Sequence, residues 1–176
     1  MDISADKLQA QFQTNVFAPL ALIQQVAPVM KRQQAGLIVN IGSISGLVTT
    51  PFAGAYCASK SALHSLSEAL RMELSPFGIN VVTVQPGAVQ SNIGISAEKA
   101  LAGVLGPNSW YIPYKQTIQD RTTLSQVNST PAEQFATQLV KRLIQIHPPA
   151  VIRLGNKSLW LPFLKRWLPI RLMEFI

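Results

Sequence analysis

Two short runs of apolar and β-branched residues do most to limit what this chain can fold into. They are Leu37-Ile38-Val39-Asn40-Ile41 and Ile79-Asn80-Val81-Val82-Thr83-Val84-Gln85. Strands of this composition mark a buried parallel sheet. Between them runs a segment of helical periodicity, from about Ala53 to Phe77, in which Ala58, Ala62, Leu66, Ala69, Leu70 and Leu74 recur near one face. Strand, helix, strand in that order is the unit of an α/β fold, because parallel neighbours need a crossover between them. The breaks fall where turns require them, at Gly36, at the loop Gly42-Ser43-Ile44-Ser45-Gly46, at Gly78 and at Pro86-Gly87.

The flanking segments extend the pattern. Leu8, Phe12, Val16, Leu20, Ile23, Val26, Ala27 and Met30 predict one long helix from Ala5 to about Arg32. Ser4 is its expected N-cap, and Pro19 and Pro28 predict bends or local breaks. Residues 91–127 are less regular, and such segments in α/β proteins often wall or cover a site, so a substrate-binding segment is expected there. Thr130-Pro131-Ala132-Glu133 has the form of a capping box with proline at the first helical position, opening a helix to about Ile146. Ala150-Val151-Ile152-Arg153-Leu154 predicts a last strand.

A chain of 176 residues with 48% hydrophobic and 13% charged residues fits a single domain, 1–176, and is too apolar for intrinsic disorder. One cysteine cannot form an internal disulfide, and no apolar run reaches the roughly 18 residues of a spanning helix. The start, Met1-Asp2-Ile3-Ser4, carries an acid where a signal peptide carries base, so a cytoplasmic location is expected. The net charge of +7 invites a nucleic-acid partner, but its distribution argues against one. Residues 1–147 hold ten basic and seven acidic side chains, whereas 148–176 hold five basic and one acidic. In that basic, amphipathic tail the charges alternate with Trp160, Phe163, Leu164, Trp167 and Leu168, a composition suited to a peripheral membrane contact. Packing of the same tail on its own domain is the other reading.

The chemistry concentrates in Tyr56-Cys57-Ala58-Ser59-Lys60, with Ser43 thirteen residues before the tyrosine. Tyr56 and Lys60, four apart on one helix, emerge on the same face. A phenol with a pKa of about 10 is a weak acid–base catalyst at neutral pH, and an adjacent ammonium is expected to lower that value. Ser43 follows a strand's C-terminal end, where open α/β sheets bind their ligands, and its hydroxyl is placed to bond a substrate carbonyl. His64, Cys57 and His147 are read as structural, and no metal-binding set is read from the sequence.

These residues resemble the classical short-chain dehydrogenase/reductase family. The resemblance rests on Tyr56-x-x-x-Lys60, on Ile38-Val39-Asn40-Ile41-Gly42-Ser43, on Asn15 within Thr14-Asn15-Val16-Phe17, and on Pro86-Gly87-Ala88-Val89-Gln90-Ser91. It covers roughly residues 5–95 in the family's order. It implies an NAD(P)-dependent oxidoreductase interconverting a ketone and a secondary alcohol, NADP being the favoured form. Tyr56 would be the general acid/base, and Lys60 would tune it and bind the nicotinamide ribose. Ser43 would position the carbonyl, and Asn15 would distort its helix to hold a water in a proton relay. Pro86, Gly87, Val89 and Ser91 would border the nicotinamide. Helices carrying Asn15 and Tyr56 commonly form subunit contacts in the family, so a homo-oligomer is implied for the complete enzyme. The tail and the post-strand segment are similar to 1-acyldihydroxyacetone-phosphate reductases and to 17β-hydroxysteroid or retinol dehydrogenase-like members, implying a small lipophilic substrate.

The sequence departs from the family at one point. None of its ten glycines forms G-x-G-x-x-G or G-x-x-x-G-x-G, the turn that holds a dinucleotide pyrophosphate. The expected fold is therefore a partial Rossmann-like, doubly wound parallel sheet lacking the N-terminal βαβαβ half. A non-catalytic fragment, serving as an oligomerisation or membrane-surface module, is the competing expectation.

Overall fold

The structure, a computed structural model, describes residues 2–92, 106–124 and 126–173. Part of the expected substrate segment, 93–105 and 125, therefore lies outside the described residues, as do Met1 and residues 174–176. Three strands, β1 (Gly36–Ile41), β2 (Ile79–Pro86) and β3 (Val151–Leu154), form a parallel sheet in the order β1-β2-β3. Its register runs from Gly36 beside Ile79 to Ile41 beside Val84, and from Thr83 beside Val151 to Pro86 beside Leu154.

Alternate residues of these strands feed two cores, as the two-residue side-chain period requires. Ile38, Ile79 and Val81 pack on one face against Ile23 and Met30 of α2 (Ala18–Gln33) and Leu70 and Leu74 of α3 (Gly54–Leu74). Val82, Val84, Ile152 and Leu154 pack on the other against Phe135, Leu139 and Leu143. Val84 and Ile152 are fully buried, each contributing about 1.5–3 kcal/mol of transfer free energy. Helices on both faces make the sheet doubly wound, the α/β architecture expected from the sequence.

The first face carries a polar layer beyond its apolar one. Buried Asn40 donates to the Ser67 hydroxyl at 2.9 Å, and Ser67 donates to the Leu63 carbonyl at 2.6 Å. Arg71 of α3 donates through Nε to the Val81 carbonyl at 3.0 Å, and through Nη2 to Thr83 and the Ala150 carbonyl, each at 3.4 Å. The turn into β2 needs its glycine. Gly78 has φ +71°, and a Cβ there would meet the Gln34 carbonyl oxygen at 2.2 Å.

Three expectations change. The long N-terminal helix is divided at neither proline. α1 (Ala5–Phe12), capped by the Ser4 hydroxyl at Lys7 N–H, passes through a π-helical turn, Gln13–Phe17, into α2. Pro19 lies where the π-helical turn passes into α2, and Pro28 is accommodated inside that helix. The capping box does not form. The later helices are α4 (Lys115–Leu124) and α5 (Ala132–Leu143), and α5 starts without a side-chain cap. Thr130 is engaged elsewhere, its Oγ1 accepting from Asn156 N–H at 3.0 Å. The tail is composite, with β3 followed by α6 (Trp160–Trp167) and α7 (Ile170–Met173). No described helix is long and apolar enough to cross a membrane.

Candidate active site

The loop after β1 and the first turns of α3 converge at the C-terminal edge of the sheet. Gly42 is fixed there by its N–H, which donates to the Val84 carbonyl of β2 at 2.7 Å. Ser43 follows in an extended conformation and opens a single 3₁₀ turn, Ile44–Gly46, its Oγ accepting from Ser45 N–H at 3.1 Å. Tyr56 lies in the first turn of α3, half-buried, with its hydroxyl facing the Ser43 side chain. Lys60, one turn on, donates from Nζ to the Ile41 carbonyl at 2.8 Å and stands 5.9 Å from the centre of the Tyr56 ring.

Asn15 approaches from the π-helical turn. Its Nδ2 donates to the buried Ser59 hydroxyl at 2.9 Å, and Ser59 donates to the Tyr56 carbonyl at 2.8 Å. The helix distortion expected at Asn15 is therefore present, and its side chain is tied to the backbone of the tyrosine. Asn15, Ser43, Tyr56 and Lys60 come from three elements, Asn15 reaching Tyr56 through Ser59 and Lys60 bonding the Ile41 carbonyl.

The electrostatics differ from the sequence expectation. Burial raises the Tyr56 phenol above its ordinary value. The facing Ser43 hydroxyl works in the opposite direction with smaller effect, and Cys57 adds a little to the rise. The Lys60 ammonium donates to the Ile41 carbonyl, and burial is the dominant influence on the phenol. The ammonium is itself disfavoured by burial, which holds Lys60 below its usual range.

The post-strand segment is built by different contacts. Gly87 N–H donates to the Leu154 carbonyl and Ala88 N–H to the Asn156 carbonyl, both at 2.8 Å. Gln90 N–H donates to the Thr130 carbonyl at 2.9 Å, and Ser91 N–H to Gln126 Oε1 at 3.2 Å. Pro86 thus ends β2, and Gly87 and Val89 leave it beside β1, whose following loop carries Ser43. Gly87 is required by this packing, since a Cβ would lie 2.0 Å from the Asn156 carbonyl oxygen. An open groove of about 540 Å³ runs between α2 and β1 and reaches Asn15 and Lys60.

One functional neighbour escapes the sequence reading. His64 stands one turn beyond Lys60, and its Nε2 accepts from Ser43 N–H at 3.3 Å. The only outward sign is the pair of glycines, Gly42 and Gly46, that make room for its ring.

Several known proteins resemble this chain in sequence or fold. The family model for short chain dehydrogenase matches residues 1–102. The 3-ketodihydrosphingosine reductase of Bacteroides thetaiotaomicron is 29% identical over 171 residues, 97% of this chain and 63% of the relative. A short-chain dehydrogenase structure from Streptomyces avermitilis superposes with a TM-score of 0.74 at 26% identity, covering 94% of this chain and 62% of that one. A 4-hydroxyisoleucine dehydrogenase solved with NADH and succinate superposes with a TM-score of 0.56 at 25% identity, covering 86% of this chain and 58% of that one. The chain spans about half to three fifths of the length of the first curated relatives it matches. A match that extends over more than half of its residues leaves one assignment, and the chain belongs to the short-chain dehydrogenase family.

Proposed function

We propose that this protein serves an NAD(P)-dependent oxidoreductase that interconverts a ketone and a secondary alcohol on a small lipophilic molecule. The observation that carries the reading is the convergence of Ser43, Tyr56 and Lys60 at the C-terminal ends of parallel strands. NAD(P), when bound, supplies or takes up the hydride. The residues here suit its nicotinamide riboside end. Lys60 presents an ammonium at the strand ends, where ribose hydroxyls would accept from it, and Pro86, Gly87, Val89 and Ser91 border the adjacent strand exit. The loop Gly42–Gly46 is not a phosphate cradle, because the His64 ring occupies the space its glycines leave.

The chain's own part in the chemistry is proton handling. The Ser43 hydroxyl donates to a substrate carbonyl oxygen and orients it. Tyr56 gives that oxygen its phenolic proton in the reducing direction and recovers one in the other. With burial keeping the phenol protonated, Tyr56 is poised as an acid first. Asn15, through Ser59, holds the tyrosine's backbone in place. The lipophilic substrate is supported by the similarity to a 3-ketodihydrosphingosine reductase.

A specific observation favours a peripheral membrane contact as a second property. On α6, Trp160, Phe163 and Trp167 are exposed along one side and in ring contact, the first pair 6.1 Å apart, with Lys165 and Arg166 in the last turn. Self-association is supported by exposed Phe17, Leu22 and Met72 on the outer helices.

The test is NADPH and NADH oxidation by the protein with cyclohexanone and with a long-chain methyl ketone. Turnover that Tyr56→Phe removes, with dinucleotide binding retained, supports the reading. Turnover unchanged in Tyr56→Phe refutes the role of Tyr56, and absence of both binding and turnover favours the non-catalytic module.

A further inference from the structure

We propose that His64 is a positioning residue: its Nε2 accepts the Ser43 N–H and thereby sets the Ser43 hydroxyl against Tyr56. The proposal rests on the oxidoreductase reading for its catalytic consequence, but the contact itself is independent of that reading. Three observations carry it.

The first is the fit of the ring. A Cβ on Gly42 would lie 2.2 Å from His64 Nε2, and one on Gly46 would lie 2.6 Å from Cε1. The loop carrying Ser43 therefore closes on the imidazole from both of its ends. The second is the polarity of the contact. A backbone N–H can only donate, so Nε2 must be the unprotonated nitrogen, and the neutral ring carries its proton on Nδ1. Nδ1 is buried and has no hydrogen-bond partner among the described residues. An apolar side chain of similar size would fill the same space without a buried, unpaired N–H. What the imidazole adds is the acceptor, not the shape.

The third is the mechanical consequence. Gly42 is tied to β2 through the Val84 carbonyl, and Ser43 to α3 through His64. The backbone of Ser43 is thus tied to the same helix that carries Tyr56, which sets where its side chain starts relative to the phenol. The charges facing the ring agree with the acceptor state. Lys60 on α3 and Arg153 on β3 are both cationic and, together with burial, hold the imidazole below its ordinary value.

Two variants of the full chain separate acceptor from shape. His64→Leu fills the space without an acceptor, and His64→Gln restores an amide oxygen near the Nε2 position. With NADPH and cyclohexanone, His64→Leu is expected to lower kcat about tenfold while the KM for NADPH stays within about twofold. His64→Gln should recover most of the loss. A kcat unchanged in His64→Leu, or a glutamine variant as impaired as the leucine variant, overturns the positioning role. Should the wild-type chain turn nothing over, the oxidoreductase reading fails, and nitrogen-15 NMR of the imidazole decides the contact. Protonation at Nδ1 and a Ser43 amide shift in His64→Leu support it. Protonation at Nε2, or a Ser43 amide that does not respond, refutes it.

Discussion

Gly87→Ala tests whether the post-strand segment is shaped by its own packing. The Cβ introduced by alanine would stand 2.0 Å from the Asn156 carbonyl oxygen, 2.8 Å from Ser158 N and 3.0 Å from the Asn156 carbonyl carbon. All three are backbone atoms, so no side chain can swing aside. Ordinary contact begins near 3.4 Å, so the two segments must separate by more than an ångström. That movement pulls on the Gly87–Leu154 and Ala88–Asn156 hydrogen bonds, both 2.8 Å long. Gly87 has no positive φ, so the loss is steric and not conformational. Overpacking of about 1–3 kcal/mol, with two weakened hydrogen bonds of about 1 kcal/mol each, gives a destabilisation of about 3 kcal/mol. For a chain of this size the melting temperature should fall by about 6–12 °C, read by circular dichroism or differential scanning fluorimetry. Gly54→Ala is the matched control. Nothing lies within 4 Å of its Cβ at the start of α3, and the melting temperature should rise by about 1–2 °C. A Gly87→Ala protein melting within about 1 °C of wild type would refute the packing argument.

Other outcomes follow from single contacts. Thr130→Val removes the acceptor for Asn156 N–H and should cost about 1–2 kcal/mol in denaturant unfolding, whereas Thr130→Ser should cost less than half as much. The folded-state value of Tyr56 is raised, so its contribution to stability is complete below about pH 10 and is lost as pH climbs through the folded value; Tyr56→Phe should melt with a shallower alkaline decline. His64 is shifted the other way. Its contribution is complete above about pH 6.5 and is lost as pH falls through the lower folded value, so His64→Gln should flatten the acid side of a melting profile.

The strands were the most legible part of this chain. Leu37–Ile41 and Ile79–Gln85 are buried runs bounded by glycine and proline, and the sheet extends each by a single residue. The clustering of Ser43, Tyr56 and Lys60 was also legible, since four-residue helical spacing and a strand end fix where side chains emerge. What failed were inferences in which a local rule competed with a distant partner. Thr130 has the sequence of a cap, but Asn156, a distant residue, takes its hydroxyl. Lys60 neighbours Tyr56 in spacing, but burial by the surrounding fold is the larger influence on the phenol. The π-helical turn was not locatable from periodicity, because a single inserted residue leaves three- and four-residue apolar steps on either side of it. His64 contacts a backbone N–H, a partner that every residue but proline offers and that therefore leaves no trace in side-chain patterns.

The π-helical turn has an effect on phase. Each residue of an α-helix advances about 100° around the axis, so the extra residue at Gln13–Phe17 rotates everything before it by about that angle relative to α2. α1 packs on α3 while α2 packs on both α3's neighbour strand and the core, and the two contacts need differently oriented stripes. Deleting one residue in the turn would give a more regular helix with better local hydrogen bonding. It would also turn α1 out of register with α3. The irregular turn works as a clutch between two helices that share an axis but face different neighbours.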